Sequence, residues 1–285
     1  MANLRDIRRR IKSVKNTAQI TRAMQLVAAA KMKKAQDQAL AGRDYAHKLN
    51  AVLEDIGKSF GEEATHALME KREGSRELVL VISTDKGLCG PINTNLARVL
   101  RAKTSPNADY VTIGRKLRMM IEKVGGNILA DYTIKDPVPF AEARAVATML
   151  TKQFLDGNYD KISIAYTRFV NTLSQVPEVV QLLPVVPPAG HESHDDVSDV
   201  SEYLFEPSPK DVLASILPLY VNFEVFQTLV EARASEHSAR MVAMKSATDN
   251  AKKFIKELTL EYNKLRQGAI TAELLEITTA MKAME

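Results

Sequence analysis

The chain has 285 residues, a formal net charge of +4, and ordinary hydrophobic and charged fractions of 45% and 26%. Its single cysteine, Cys89, excludes an intrachain disulfide framework and fits a reducing compartment. No apolar run reaches the ~18 residues that suggest a membrane span. The N-terminal segment lacks the apolar stretch of a secretory signal, so a cytosolic protein is expected.

The first element is a long helix with a heptad seam. The pattern predicts a helix from Leu4 to Phe60, with apolar or small residues at steps that alternate between three and four. This is the period of a coiled coil, and 57 helical residues would span roughly 85 Å. The seam positions are Leu4, Ile7, Ile11, Val14, Ala18, Thr21, Gln25, Ala28, Met32, Ala35, Ala39, Gly42, Ala46, Leu49, Leu53, Ile56 and Phe60.

The middle of the chain alternates strands and helices. This order predicts a mostly parallel sheet covered by helices. The predicted strands are 77–83, 109–113, 128–132, 161–169 and 178–186, with a turn at 171–175 before the last of them. The predicted helices are 93–103, 115–124 and 141–155.

A second long helix closes the chain. Ser208 and Pro209 predict its start, and Pro218 predicts a kink in its opening turns. Its seam runs through Met241, Met244, Thr248, Ala251, Ile255, Leu258, Tyr262, Leu265, Ala269, Ala272, Glu276 and Thr279.

The chain enters and leaves the inserted domain at nearby points, so the two long helices are expected to run antiparallel. The second is longer and should overhang the first, with a tip at 277–285 that is almost uncharged. The expected divisions are 1–60 for the first helix, 75–190 for the α/β domain, 191–208 for an acidic loop and following segment, and 209–285 for the last helix.

Charge is distributed unevenly along the chain. Residues 1–48 carry twelve basic and three acidic side chains, a net charge of +9, whereas 187–209 carry six acidic and no basic ones. The basic helix surface is either an ordinary solvated face or a surface for an acidic partner. A stripe of Ile20, Met24 and Val27 beside the seam packs either on the inserted domain or on another protein.

Catalytic motifs are weak. The segment Ser83–Gly90 lies where doubly wound domains bind phosphate, but it matches neither glycine-rich phosphate-binding pattern. Cys89 has no recognisable histidine partner for nucleophilic catalysis. His191, Glu192, His194, Asp195 and Asp196 could contact a metal, but a loop without supporting contacts makes a site improbable. We therefore expect no catalytic, cofactor or metal site.

Four segments resemble the γ subunit of the rotary ATP synthase in its bacterial form, over essentially the full length and in the right order. They are 20–32 (ITRAMQLVAAAKM), 83–90 (STDKGLCG), 236–250 (EHSARMVAMKSATDN) and 263–277 (NKLRQGAITAELLEI). The resemblance implies a long antiparallel two-helix coiled coil formed by both termini, with an inserted Rossmann-like α/β domain.

The same resemblance implies a central rotor shaft that does no chemistry itself. The coiled coil would stand inside a ring of three α and three β subunits, and the inserted domain would bind the ε subunit and the ring of c subunits. The chain would then be peripheral, on the cytoplasmic face of the inner membrane. ATP would be made in β, while this chain transmits torque.

Site residues carry over from the family by matching positions. The implied stator contacts are Met24, Arg240, Arg266, Gln267 and Thr271, and the implied c-ring contact is Tyr203, Leu204, Phe205 and Glu206. The residues alone leave two other classes of protein open. A coiled-coil adaptor of another assembly would purify without α and β partners. A nucleotide-dependent enzyme built on the central domain would bind ATP or NAD.

Overall fold

A computed structural model describes residues 4–60, 66–72, 74–186 and 209–284. These residues form two compact units. Unit 1 comprises Met1–Ala29 and Arg240–Glu285, and unit 2 comprises Ala30–Ala239. The acidic segment 191–202, its candidate metal ligands and the implied c-ring contact 203–206 lie outside the described residues.

Five helices and five strands make up the described chain, in the predicted alternating order. The helices are α1 (Leu4–Phe60), α2 (Ile92–Lys103), α3 (Arg115–Val124), α4 (Phe140–Leu155) and α5 (Pro209–Lys282). The strands are β1 (Glu77–Ile82), β2 (Asp109–Ile113), β3 (Ile128–Tyr132), β4 (Lys161–Phe169) and β5 (Gln175–Leu183).

The sheet of unit 2 has the order β3-β2-β1-β4-β5, parallel except for β5, which pairs antiparallel with β4. The predicted last strand, 178–186, is wrong by three residues at each end, because β5 spans Gln175–Leu183. The strand starts earlier because the preceding turn is tight: the Asn171 side chain accepts hydrogen bonds from the backbone N–H groups of Leu173 and Ser174. The antiparallel partner of β4 consequently begins at Gln175. Pro177 is tolerated because β5 is an edge strand.

Both faces of the sheet are buried, as the apolar sequence of β1 predicts. Leu78, Leu80 and Ile82 face a core shared with α4 and the first part of α5. Val79 and Val81 face a smaller core beneath α2 and α3. Alternate side chains of one strand point to opposite faces, so this one strand holds helices on both sides.

The α5 helix continues through Pro218 for 74 residues. A window of 18 residues within Asp211–Lys282 reaches a mean hydropathy of 1.4, which by length and composition alone would suffice to cross a membrane. Of that window, 44% is buried inside the protein, and Leu213, Leu217 and Val221 contribute to the core on the sheet. This apolar stretch is therefore explained as a core helix of unit 2.

In unit 1 the two terminal helices run antiparallel along the predicted seams. The Thr21 and Thr248 hydroxyls lie 2.7 Å apart, and the Arg8 guanidinium lies 5.8 Å from the centre of the Tyr262 ring. Moving toward the start of α1 thus corresponds to moving toward the end of α5. Buried seam residues are Ile7, Thr21 and Ala28 on α1, and Met244, Thr248, Ala251 and Leu258 on α5.

Candidate functional site

The end of α5 is a bare helix. Every residue after Tyr262 through Met284 is exposed, so about 20 helical residues, roughly 30 Å, continue beyond the seam contact with the described part of α1. This agrees with the predicted overhang. Beyond Glu276 the only charge among the described residues of this end is Lys282. An exposed end with few charges and several large apolar side chains is typical of a surface that contacts another protein.

Three of the residues implied as stator contacts lie on this bare end. Arg266, Gln267 and Thr271 are exposed, and the Thr271 hydroxyl donates to the Gln267 carbonyl at 2.9 Å. At 100° per residue they fall within an arc of about 140° around the helix. The same arc contains the exposed apolar residues Ile270, Leu274, Ile277 and Met281. Polar and apolar contacts therefore share one face.

Two further implied contacts lie elsewhere in unit 1. Met24 and Arg240 are half-buried. Ile20 and Val27, the other members of the apolar stripe, are 60% and 57% exposed. The stripe thus presents apolar surface on unit 1, as an outside partner would require.

The α1 surface in unit 1 is strongly basic. Its cations are all exposed: Arg5, Arg8, Arg9, Arg10, Lys12, Lys15 and Arg22. Asp6 pairs with Arg9 at 3.3 Å and is the one acidic residue of α1 in this unit. Such a field attracts an acidic partner and is screened by salt.

In unit 2, α5 occupies the carboxyl edge of the parallel strands. The Arg233 guanidinium, 9% exposed, pairs with Glu236 at 2.8 Å and with Asp85 at 3.7 Å, and it donates to the Ile134 carbonyl at 3.0 Å. Asp85 follows β1 and Ile134 follows β3. One α5 side chain therefore holds two of the loops at the edge where open α/β sheets bind ligands.

Two neighbouring α5 residues hold further loops at the same edge. Ser238 donates to the Thr172 carbonyl in the β4–β5 turn at 2.8 Å. His237 Nε2 donates to Asp136 Oδ2 at 3.0 Å, and Lys31 Nζ donates to the same oxygen at 2.8 Å. The hydrogen bond from His237, followed by that from Lys31, holds the pKa of Asp136 well below its usual range, although burial opposes this. Asp136 is therefore ionised at neutral pH.

The loop after β1 satisfies its own polar groups. The Thr84 backbone N–H donates to the Asn93 side chain, Asn93 donates back to the Thr84 hydroxyl at 2.8 Å, and that hydroxyl donates to the Lys86 carbonyl. The loop ends in a glycine turn, with Gly90 at φ +64°. Cys89 is buried against Ile92 and Ala239, so the loop packs beneath α5.

Little space remains at this edge. The cavity between the end of β1, α2 and α5 measures about 10 Å³, roughly the minimum for one water molecule, whereas small-molecule sites occupy about 300–1,000 Å³. A larger open cavity of about 360 Å³ lies at the opposite, amino edge. There the carboxylate of Asp109 already accepts from Tyr159 and Asn127. No group of three or more His, Cys, Asp or Glu side chains among the described residues could hold a metal ion.

Comparisons with known proteins extend over the whole chain. A family model described as ATP synthase matches residues 3–284. The ATP synthase gamma chain of Akkermansia muciniphila is 49% identical over the full length of both chains, and that of Opitutus terrae is 48% identical over 99% of each. The chain belongs to the ATP synthase γ chain family. The bacterial sources of these relatives agree with the bacterial form that the motifs resemble.

Solved structures of mitochondrial ATP synthase share the fold. The rotor of the Euglena gracilis mitochondrial ATP synthase matches with a TM-score of 0.66 and 19% identity, over 94% of this chain and 98% of that one. A chain of the same enzyme in its OSCP/F1/c-ring assembly matches with a TM-score of 0.69 and 20% identity, over 99% and 94%. The fold class is thus confirmed: long terminal helices and an inserted Rossmann-like α/β domain.

The sequence did not reveal the role of the α5 segment 233–238. Its residues Arg233, Ser235, Glu236, His237 and Ser238 are all buried although all are polar. Buried polar residues generally have hydrogen-bond partners, and Arg233, His237 and Ser238 take theirs from other elements. The sequence does show this polar run between the apolar start of α5 and the heptad seam of the same helix. It does not show which residues bond to the run, because these lie about 60 to 150 residues away in sequence.

Proposed function

We propose that this γ chain is the central rotor shaft of a proton-translocating ATP synthase and that it has no catalytic site of its own. Its partners are the α and β subunits, the ε subunit and the c-subunit ring. It is held at the cytoplasmic face of the inner membrane through the rotor ring, which it contacts through 203–206. ATP is made or hydrolysed in β, and the γ chain transmits torque between β and the c ring.

The observation that carries this proposal is the exposed end of α5. A shaft must turn inside its stator without being trapped at one position. Exposed ion pairs contribute only about 0–1 kcal/mol each and can be exchanged between successive partners. Arg266 supplies one such charge, and the basic surface of α1 in unit 1 supplies others. Toward the tip charges become sparse, with Lys282 the one charge among the described residues beyond Glu276, so an apolar sleeve could surround most of the tip without burying unpaired charges.

A nucleotide-dependent enzyme is the less favoured alternative. The carboxyl edge of the sheet, where such enzymes bind their ligand, is filled by Arg233, Glu236 and His237 of α5. The remaining cavity of about 10 Å³ does not accommodate a nucleotide. The polar groups of the loop after β1 are bonded to one another rather than directed at an anion. An adaptor of some other assembly finds no specific support, because the whole chain matches one family.

The test is a double substitution, Arg266→Ala with Gln267→Ala, in a complex assembled with α and β subunits. An exposed ion pair contributes about 0–1 kcal/mol, which corresponds to a rate lower by up to roughly fivefold if it is lost in the transition state. We expect ATP hydrolysis to fall within this range while helix content stays unchanged.

The control variant is Glu276→Ala. It removes a charge from the same bare helix, but at a position outside the arc shared by Arg266, Gln267 and Thr271. We expect it to hydrolyse ATP at close to the rate of the unsubstituted complex. Equal losses in both variants, or a parallel loss of folded chain in circular dichroism, would place the stator contact on another surface.

A further inference from the structure

Three elements of unit 2 meet at one carboxylate oxygen. Asp136, in the loop between β3 and α4, accepts at Oδ2 from Lys31 on α1 at 2.8 Å and from His237 on α5 at 3.0 Å. The His237 side chain is 6% exposed, that of Asp136 23% and that of Lys31 47%. The carboxylate therefore bridges the two long helices, with one partner in the interior and the other at the surface.

The same loop makes a second contact to each helix. Arg233 on α5 donates to the Ile134 carbonyl, and Gln38 on α1 donates to the Val138 carbonyl at 2.7 Å. On each helix the two contacting residues are separated by about one or two turns. This short loop therefore contacts each helix at two positions. Of these contacts, those of Asp136 lie nearest to the points where the helices leave unit 2.

This bridge lies where both helices leave unit 2. Lys31 is the second residue of unit 2, and His237 is the third from its end. Any torque carried between unit 2 and the continuations of α1 and α5 passes through the helices at this level. Apolar packing is non-directional and lets helices slip or twist against a neighbouring surface. Charge-assisted hydrogen bonds have a defined geometry and resist such motion.

We infer that Asp136 is the residue that anchors both shaft helices to the domain against torsion, acting through Lys31 and His237. It is a positioning residue for the rotary function, and the inference rests on the proposed function as a shaft. Loss of the anchor increases the torsional compliance between the domain and the shaft. The nucleotide sites of β are untouched, so the hydrolysis cycle itself continues.

The experiment measures rotation of complexes assembled with α and β subunits, with a probe fixed to an exposed residue of unit 2. The observable is the angular variance of the probe during the pauses of ATP-driven rotation. We expect Lys31→Met and Asp136→Asn each to increase this variance while the rate of ATP hydrolysis stays that of the unsubstituted complex. A purely structural defect would instead lower the yield of complex and the hydrolysis rate together.

Two matched variants serve as controls. Lys31→Arg keeps a cation that can bond to Asp136, so the variance should stay at the unsubstituted value. Lys33→Met removes the same charge from the same helix at an exposed position two residues on, and should also leave the variance unchanged.

The results distinguish failure of the proposed shaft function from failure of the proposed Asp136 anchor. An unsubstituted complex that fails to rotate contradicts the shaft function itself. A rotating complex in which Lys31→Met and Asp136→Asn leave the variance unchanged contradicts the anchor alone. Because Lys31 is half-exposed, Lys31→Met decides the matter even if Asp136→Asn does not fold.

Discussion

The antiparallel register of unit 1 predicts an engineered disulfide between the two terminal helices. The Thr21 and Thr248 hydroxyl oxygens are 2.7 Å apart. Cysteine sulfurs at these positions would need to approach by less than about 1 Å to reach the disulfide bond length of about 2.05 Å. The natural cysteine, Cys89, is 2% exposed and should not compete. We therefore expect Thr21→Cys with Thr248→Cys to form an intrachain disulfide on mild oxidation.

The stabilisation follows from the length of chain that the bond closes. The two positions are 227 residues apart, and in the chain-entropy model a loop of this size stabilises the folded state by roughly 5 kcal/mol. Each Thr hydroxyl has one proton, so one hydroxyl donates to the other while the second donates to its own helix, to the Ala18 or the Met244 carbonyl. The reduced variant loses these two hydrogen bonds, each of which contributes about 0.5–1.5 kcal/mol.

The assay is electrophoresis without reductant, followed by thermal unfolding of the oxidised and reduced chain. A stabilisation of roughly 5 kcal/mol raises the unfolding temperature by about 10 °C for a chain of this size. The control pair, Thr21→Cys with Ile255→Cys, places the second cysteine one heptad away and should not crosslink. Equal crosslinking of both pairs would show that the seam has no fixed register.

The disulfide also tests whether the two helices move as one body. If they turn together, ATP hydrolysis by the assembled complex should be the same with the bond formed or reduced. Inhibition on oxidation that reduction reverses would mean that the helices slide past each other during the cycle.

Two predictions concern the polar contacts of α5 in unit 2. Arg233→Ala removes the cation bonded to buried Glu236 and near Asp85, and breaking such a pair costs about 3–5 kcal/mol, measurable as a lower urea midpoint. Burial, followed by the charge of Glu231, raises the pKa of Glu224. A carboxyl whose pKa is higher in the folded state destabilises the fold at neutral pH and stops doing so once pH falls below its unfolded pKa of about 4.3. Glu224→Gln should therefore raise the urea midpoint at pH 8 and leave it unchanged at pH 4.

The long helices were predictable from local pattern. The first was predicted from Leu4 to Phe60 and is found with those bounds. Its seam positions Ile7, Thr21 and Ala28 are buried as expected. A heptad repeat that continues for so many turns has few alternative explanations, and α1, which has no internal proline, leaves few uncertain boundaries. The predicted kink at Pro218 stays a prediction.

The contacts at the sheet edge were not predictable. Asp136 and His237 are 101 residues apart, and no periodicity relates them. A buried His beside an Asp and a Lys could equally belong to a catalytic or metal site when read from sequence. Only the register of α5 against the sheet shows that these groups bind one another. The stator contacts named by resemblance stay a prediction, although three of them lie on the bare end of α5.

The position of α5 explains how a nucleotide-binding type of fold can serve as the attachment point of the proposed shaft. In open α/β sheets the loops at the carboxyl edge converge and present polar groups to a ligand. In this chain the same loops present Asp85, Asp136 and the Thr172 carbonyl to Arg233, His237 and Ser238 of α5. The helix therefore occupies the ligand's place, and the polar groups that would orient a ligand orient the helix instead. This arrangement gives directional contacts to the helix that carries torsion in the proposed function, and it leaves the carboxyl edge of the sheet without space for a nucleotide.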